Sequence, residues 1–172
     1  MISQSEGFDL SLINAASIDI TLGSTILMEE YTAEEEYATF RISLRNRDQL
    51  RMKKYYTDKE RPFILKPGDF ILAHSEQVFH LPNDVSAYYT LKSSMARIGL
   101  NHAHAGWCDA GWNGSALTLE LMNCTQNHEI ELHMGDKIGQ MLFFRHAPVP
   151  NDKSYAARGR YNGDKTVSGI KK

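Results

Sequence analysis

Lys92, Ser93, Ser94 and Arg97 fall within six residues of one another. An ammonium, two hydroxyls and a guanidinium so close together, with nearby backbone N–H groups, all donate to phosphoryl oxygens, which suits a polyphosphate ligand. Downstream, H-A-G-W-C-D-A-G-W-N-G (104–114) reads as a Gly-rich hairpin carrying one carboxylate, Asp109. It leads into L-T-L-E-L-M-N, where a single acid, Glu120, alternates with Leu117, Leu119 and Leu121. A carboxylate among apolar strand positions is costly to bury without a partner or a proton, and that tension is what tunes a side chain for acid/base work.

These groups need a scaffold, and the chain reads as β-rich. S-I-D-I-T-L (17–22) alternates and stops at Gly23, a strand that places Asp19 at a solvent-facing position. From Phe63 onward, F-I-L, F-I-L-A-H, S-E-Q-V-F-H and V-S-A-Y-Y-T-L are short apolar runs separated by K-P-G-D and P-N-D turns. That punctuation predicts a mostly antiparallel sandwich or barrel rather than βαβ units. One short helix is expected at residues 93–98, capped by Ser93 or Ser94 and stopped by Gly99, so that both serines flank an N-terminus that favours an anion. The run from Met28 to Lys54, acidic at Glu34, Glu35 and Glu36 and basic at Arg41, Arg45, Arg47, Arg51, Lys53 and Lys54, reads as a solvated face. The polar, Gly-rich end has a frayed tail as its default and, as the sharper alternative, a flexible lid over a ligand at about residues 154–172.

With 172 residues and no linker or repeat, the chain is expected to form a single domain. A net charge of −2 excludes the basic face that long nucleic acid requires. No run reaches the about 18 to 20 apolar residues that span a bilayer, and the first residues lack the charged and apolar regions of a signal peptide, so a cytoplasmic protein is expected. Cys108 and Cys124 lack zinc spacing and read as reduced packing residues. His102 and His104 would share one strand face, but no third ligand stands at a telling spacing. The expectation is no protein-bound metal, with His102, His104, His128 and His133 in packing or surface roles.

In combination, K-S-S-M-A-R-I-G-L, H-A-G-W-C-D-A-G-W-N-G, L-T-L-E-L-M-N and K-I-G-Q-M-L-F-F resemble the dCTP deaminase branch of the dUTPase-like superfamily, as do I-N-A-A-S-I-D-I-T-L-G and L-K-P-G-D-F-I-L-A. The resemblance implies a dUTPase-like β-barrel or jelly-roll, a homotrimer with sites between subunits, Mg²⁺ carried on the triphosphate, and deamination of dCTP to dUTP and ammonia without zinc. It makes Glu120 the acid/base that takes a proton from water attacking cytosine C4 and passes protons to N3 and the amine. Ser93 and the backbone of Ala105 would hold the water and amine, with Arg97 orienting Glu120 or the base. Lys92 and Ser94 would contact phosphates, Asp109 the 3′-hydroxyl and Trp107 the sugar. Tyr155, Arg160, Tyr161 and Asp164 would act from the lid, and dTTP enters as an inhibitor.

Three departures accompany the resemblance. Lys92 stands where the family commonly has arginine, Asn162 or Asp164 where it has a base-reading glutamine, and the segment before Ile13 is short, so an opening helix is expected to be missing. The A-G-W-C-D motif also resembles bifunctional deaminase–dUTPases, which makes dUMP and pyrophosphate the runner-up products. A dUTPase alone would use Asp109 to activate water at the α-phosphate, and a non-catalytic nucleotide sensor is the rival from another class.

Overall fold

The computed structural model describes residues 1–4, 8–30, 32, 39–46 and 50–171. Glu34, Glu35, Glu36 and Arg47 lie outside them. Twelve strands are described: β1 (Ile2–Ser3), β2 (Ile18–Thr21), β3 (Thr25–Glu29), β4 (Met52–Tyr56), β5 (Phe63–Leu65), β6 (Phe70–His80), β7 (Val85–Leu91), β8 (Leu100–His102), β9 (Trp107–Cys108), β10 (Asn113–Asn123), β11 (Ile130–Leu132) and β12 (Lys137–Arg145). Helices are α1 (Ser93–Arg97) and α2 (Tyr155–Arg158), so the expected single helix becomes two, the second formed by the C-terminal segment.

One sheet runs β4-β3-β6-β10-β8, with β1 on the far end of β6; a second runs β2-β12-β7-β9, and β5 pairs with β11. Every described pairing is antiparallel. The chain crosses between the sheets where Leu22 bridges Ser75. Ile20, Leu22, Ile71, Ala73, Phe79, Tyr89, Leu119, Leu121 and Met141 are essentially sealed in one apolar core. Burying each large aliphatic side chain contributes about 1.5 to 3 kcal/mol.

Several local expectations change. The runs F-I-L-A-H and S-E-Q-V-F-H are one bent strand, β6, because His74 and Ser75 are buried in succession where the register to β10 slips. The cap of α1 is Lys92 with no side-chain hydrogen bond, so Ser93 is the first helical residue rather than the cap. At five residues α1 carries too little dipole to make its own anion site, while Gly99 ends it at φ 88° as expected. Asp19 is not solvent-facing: it is 4% exposed, takes Lys92 Nζ at 2.6 Å and Asn14 Nδ2 at 2.8 Å, and has Lys137 Nζ at 3.4 Å. Lys53 and Lys54 lie exposed on edge strand β4, as a solvated face should. Cys108 is buried but Cys124 is exposed, so only the former packs. Among the described residues no helix is long and apolar enough to cross a membrane.

His74 shows how polar groups are settled inside the fold. Its Nδ1 donates to the Ser75 carbonyl at 2.9 Å and its Nε2 accepts the Thr25 N–H at 3.2 Å, the pattern of a neutral ring. Only a glycine fits at position 23, where a Cβ would come within 2.1 Å of that ring. Burial pushes the imidazole below its ordinary value, because protonation strands a charge and turns Nε2 against Thr25 N–H. A folded state that holds the ring neutral loses stability as pH falls below about 6.5, where the unfolded chain binds the extra proton, with a slope of at most about 1.4 kcal/mol per pH unit from this group. Urea midpoints at successive pH values between neutrality and mild acid should show that decline, and His74→Gln should flatten it.

Candidate active site

A cavity of about 610 Å³ opens on the outer face of the five-stranded path, beside β10. The alternation of β10 decides which residues reach it past the register slip at residues 116–118: Leu119 and Leu121 point to the core, while Thr118 and Glu120 are half-buried on the other face, and Leu117, at the slip, is buried yet lines the cavity. Leu72, the cross-strand partner of Glu120 on β6, lines the same wall with Phe70 and Met52. On the other side of β10, Ala103 N–H donates to the Glu120 carbonyl at 3.0 Å, extending the β8 ladder by one bond.

Ala105, Trp107 and Asp109 come to the cavity on the strand β9 and the turns beside it. Close approach dictates glycine at position 106, since a Cβ there would lie 2.2 Å from the Tyr89 carbonyl, which the β7–β9 pairing brings alongside. Trp107 Nε1 donates to Asp109 Oδ1 at 2.7 Å, fixing the carboxylate at the rim. Cys108 lies between them with its thiol pushed up to about 12 by burial and by the neighbouring Asp109 charge, so it stays protonated and is no nucleophile at neutral pH.

The C-terminal segment packs against its own hairpin. Tyr155 N–H donates to the Ala110 carbonyl, Gly163 N–H to Asn113 and Ala116 N–H to the Asp164 carbonyl at 2.7 Å. Asn162 spans both sides, its Oδ1 accepting Asn113 N–H at 3.0 Å and its Nδ2 donating to the Tyr155 carbonyl at 2.8 Å. The Tyr161 carbonyl takes Ser115 Oγ and Trp112 Nε1. These bonds set Tyr155, Tyr161 and Asp164 in the cavity wall, whereas Arg160 is exposed and outside it. The Asp164 carboxylate is held by Ser168 Oγ at 2.9 Å and by Lys171 Nζ. Asn162 therefore serves as a strut, and of the two residues proposed to stand for a base-reading glutamine only Asp164 faces the cavity.

Thus Glu120, Ala105, Trp107, Asp109, Tyr155, Tyr161 and Asp164 meet around one cavity, and the cluster expected to meet a polyphosphate does not join them. Among the described residues that line it there is no Lys92, Ser93, Ser94 or Arg97. Ser93, Ser94 and Arg97 are exposed on α1, and Lys92 is turned to Asp19. Sequence reasoning missed His102, assigned to packing or surface: it is 3% exposed, and its Nε2 lies 3.2 Å from Glu120 Oε2. No local signal announces this, since the two residues meet only through β8–β10 pairing. Nor do His102 and His104 share a strand face, because β8 ends at His102 and His104 turns to φ 59°.

A family model described as dCTP deaminase-like matches residues 3–146. The chain belongs to that family. It is similar to the dCTP deaminase, dUMP-forming, of Nanoarchaeum equitans (strain Kin4-M), at 38% identity over 86% of this chain and 78% of that one. A second relative named dCTP deaminase, dUMP-forming, from Acidothermus cellulolyticus (strain ATCC 43068 / DSM 8971 / 11B), is 35% identical over 92% of this chain and 81% of that one. The crystal structure of 2′-deoxycytidine 5′-triphosphate deaminase from Agrobacterium tumefaciens superposes with a TM-score of 0.65 at 22% identity, covering 88% of this chain and 45% of that one. This chain spans less than half of that structure, and the likeness there is one of fold.

Removing the Asn162 side chain tests the packing of the C-terminal segment. Asn162→Ala deletes two hydrogen bonds to backbone, each with a net contribution of about 1 kcal/mol. Amide exchange at Asn113 and Gly163 should speed up by about tenfold or more while the core strands keep their protection.

Proposed function

We propose that this chain is one subunit of a zinc-free deaminase that converts dCTP and water to ammonia and deoxyuridine nucleotide, and that the same site then releases pyrophosphate to leave dUMP. The observation that carries the reading is Glu120, a lone acid on an otherwise apolar strand, set in the cavity with the backbone of Ala105 and with Asp109 at its rim. The relatives named dCTP deaminase, dUMP-forming, favour dUMP over dUTP as the final product. This places the two-step activity ahead of simple deamination, the reverse of the order that the sequence motifs suggested.

In the first step Glu120 takes a proton from water as its oxygen bonds to cytosine C4 and gives it to N3, then takes the proton of the resulting C4 hydroxyl and gives it to the departing amine. The C4–N bond breaks with its electron pair on nitrogen, so ammonia leaves and a carbonyl remains. A carboxylate carries out both transfers because it can hold a proton between them. The Ala105 backbone orients water and amine, Trp107 packs by the sugar, and Tyr155, Tyr161 and Asp164 close the wall. In the second step a water adds at the α-phosphorus and pyrophosphate departs, with Asp109 as the carboxylate that orients the water.

The reading requires a second copy. Because Ser93, Ser94 and Arg97 are exposed on α1 and outside the cavity, the α1 of a neighbouring subunit would bring Ser93 to the water and amine, Arg97 to Glu120 or the base and Ser94 to phosphate, which fits a homotrimer with sites between subunits. Lys92 would then act at phosphate only in exchange with Asp19, unless it acts through that pair. Among the described residues no three His, Cys, Asp or Glu side chains converge. Mg²⁺, which favours phosphate oxygens and water with one or two carboxylates, fits this chain as an ion held by the triphosphate, where it offsets phosphate charge.

Product analysis decides between the readings. Incubation of the wild-type protein with Mg²⁺ and dCTP should release ammonia, pyrophosphate and dUMP, followed by chromatography. Glu120→Gln should keep nucleotide binding but lower ammonia release by at least about 100-fold, and Asp109→Asn should depress pyrophosphate release more than ammonia. Ammonia with dUTP as the end product would reduce the activity to deamination. Pyrophosphate from dUTP without ammonia from dCTP would overturn the role of Glu120.

A further inference from the structure

Three buried polar atoms lack an aligned hydrogen-bond partner among the described residues: Tyr89 Oη, His102 Nε2 and Glu120 Oε2. They belong to one cluster. The rings of Tyr89 and His102 meet edge to face with centroids 4.8 Å apart, and His102 Nε2 is 3.2 Å from Glu120 Oε2. The other imidazole nitrogen is already committed, because Nδ1 accepts the backbone N–H of His104 at 3.2 Å. His104 takes its left-handed φ of 59° in presenting that N–H, an unusual conformation for a residue with a side chain. A neutral imidazole whose Nδ1 accepts must carry its proton on Nε2. The hydrogen therefore sits on the nitrogen facing the carboxylate.

We propose that His102 is the positioning residue for Glu120, a tautomer-fixed donor that holds Oε2 and leaves Oε1 to handle the proton of the attacking water. This rests on the reading of Glu120 as the proton carrier. Each element of the arrangement has a cause on the chain. The β8–β10 ladder, continued by Ala103 N–H to the Glu120 carbonyl, brings His102 alongside Glu120. Tyr89 fixes the ring plane, and the turn at His104 fixes which nitrogen bears hydrogen. Burial of the Tyr89 hydroxyl, together with the Glu120 charge, pushes that phenol well above its ordinary value, so Tyr89 remains a neutral neighbour. A small turn of ring or carboxylate suffices to align the Nε2–H with Oε2.

The test has two independent arms. Asparagine has no donor where imidazole Nε2 sits, whereas the longer glutamine can place its amide N–H there. His102→Asn should lower kcat for ammonia release by about 10- to 100-fold with KM nearly unchanged, and His102→Gln should restore most of it. In the second arm, imidazole ¹⁵N spectra of the full-length wild-type protein should show His102 protonated at Nε2 and unprotonated at Nδ1, and Glu120→Gln should shift the Nε2 signal. A proton on Nδ1, an unmoved Nε2 signal, or a His102→Gln variant as slow as His102→Asn would overturn the proposal. If the wild-type protein released no ammonia from dCTP, the reading of function would fail, and the spectra would still decide whether His102 holds Glu120.

Discussion

The ladder joining β6, β10 and β8 is the constraint on which the candidate site depends. A carboxylate on a strand flanked by Leu119 and Leu121, both sealed from solvent, stays at one depth only while those leucines are pinned in the core. Their burial and the backbone bonds on both sides of β10 fix the Cα of Glu120, and the pleat then turns its side chain to the cavity. A one-residue slip would exchange the acid for a leucine, placing a charge in the core and an apolar group in the site. The register is held against that slip by the whole apolar face. Fold stability and the placement of Glu120 therefore have the same physical origin.

The C-terminal segment is organised by another kind of interaction. Its apolar contribution is small: Val167 is buried and Tyr155 packs against the core, while most of its other residues are polar or small. Backbone groups at the start of β10 hold it instead: Asn113, Ser115 and Ala116 exchange hydrogen bonds with Tyr161, Asn162, Gly163 and Asp164. Each bond of this type contributes modestly, because water can take the place of either partner. The Lys171 ammonium over the Tyr161 ring, 5.5 Å from its centroid, adds a further half-buried and modest contact.

Much of the scaffold was legible because its signals are local. Strands β5 and β7 follow short apolar runs bounded by turns, and Gly99 marks the end of α1 as its sequence neighbours suggest. Glu120 was legible for the same reason, as a charge that breaks an apolar period. Properties set by contacts distant along the chain were hidden. Asp19 looks like any outward strand residue until β12 pairs with both β2 and β7 and Lys92, just past the end of β7, reaches it. His102 looks like a packing residue until β8 pairs with β10. The bend in β6 is set by the partner strand's register slip, which no period-two reading of β6 alone can contain.

The separation of the two chemical groups within a subunit follows from the same sheet architecture. Glu120 looks outward from the first sheet, while α1 leaves the end of β7, a strand of the second, and presents Ser93, Ser94 and Arg97 to solvent. Cationic and hydroxyl donors left exposed on a five-residue helix keep their hydration, so holding them apart from the carboxylate costs the lone subunit little. Bringing Arg97 to the half-buried Glu120 within one chain would instead require desolvating both before any nucleotide arrived. An arrangement that unites the two halves between copies defers that cost to assembly, where burial of the surrounding apolar surface can offset it.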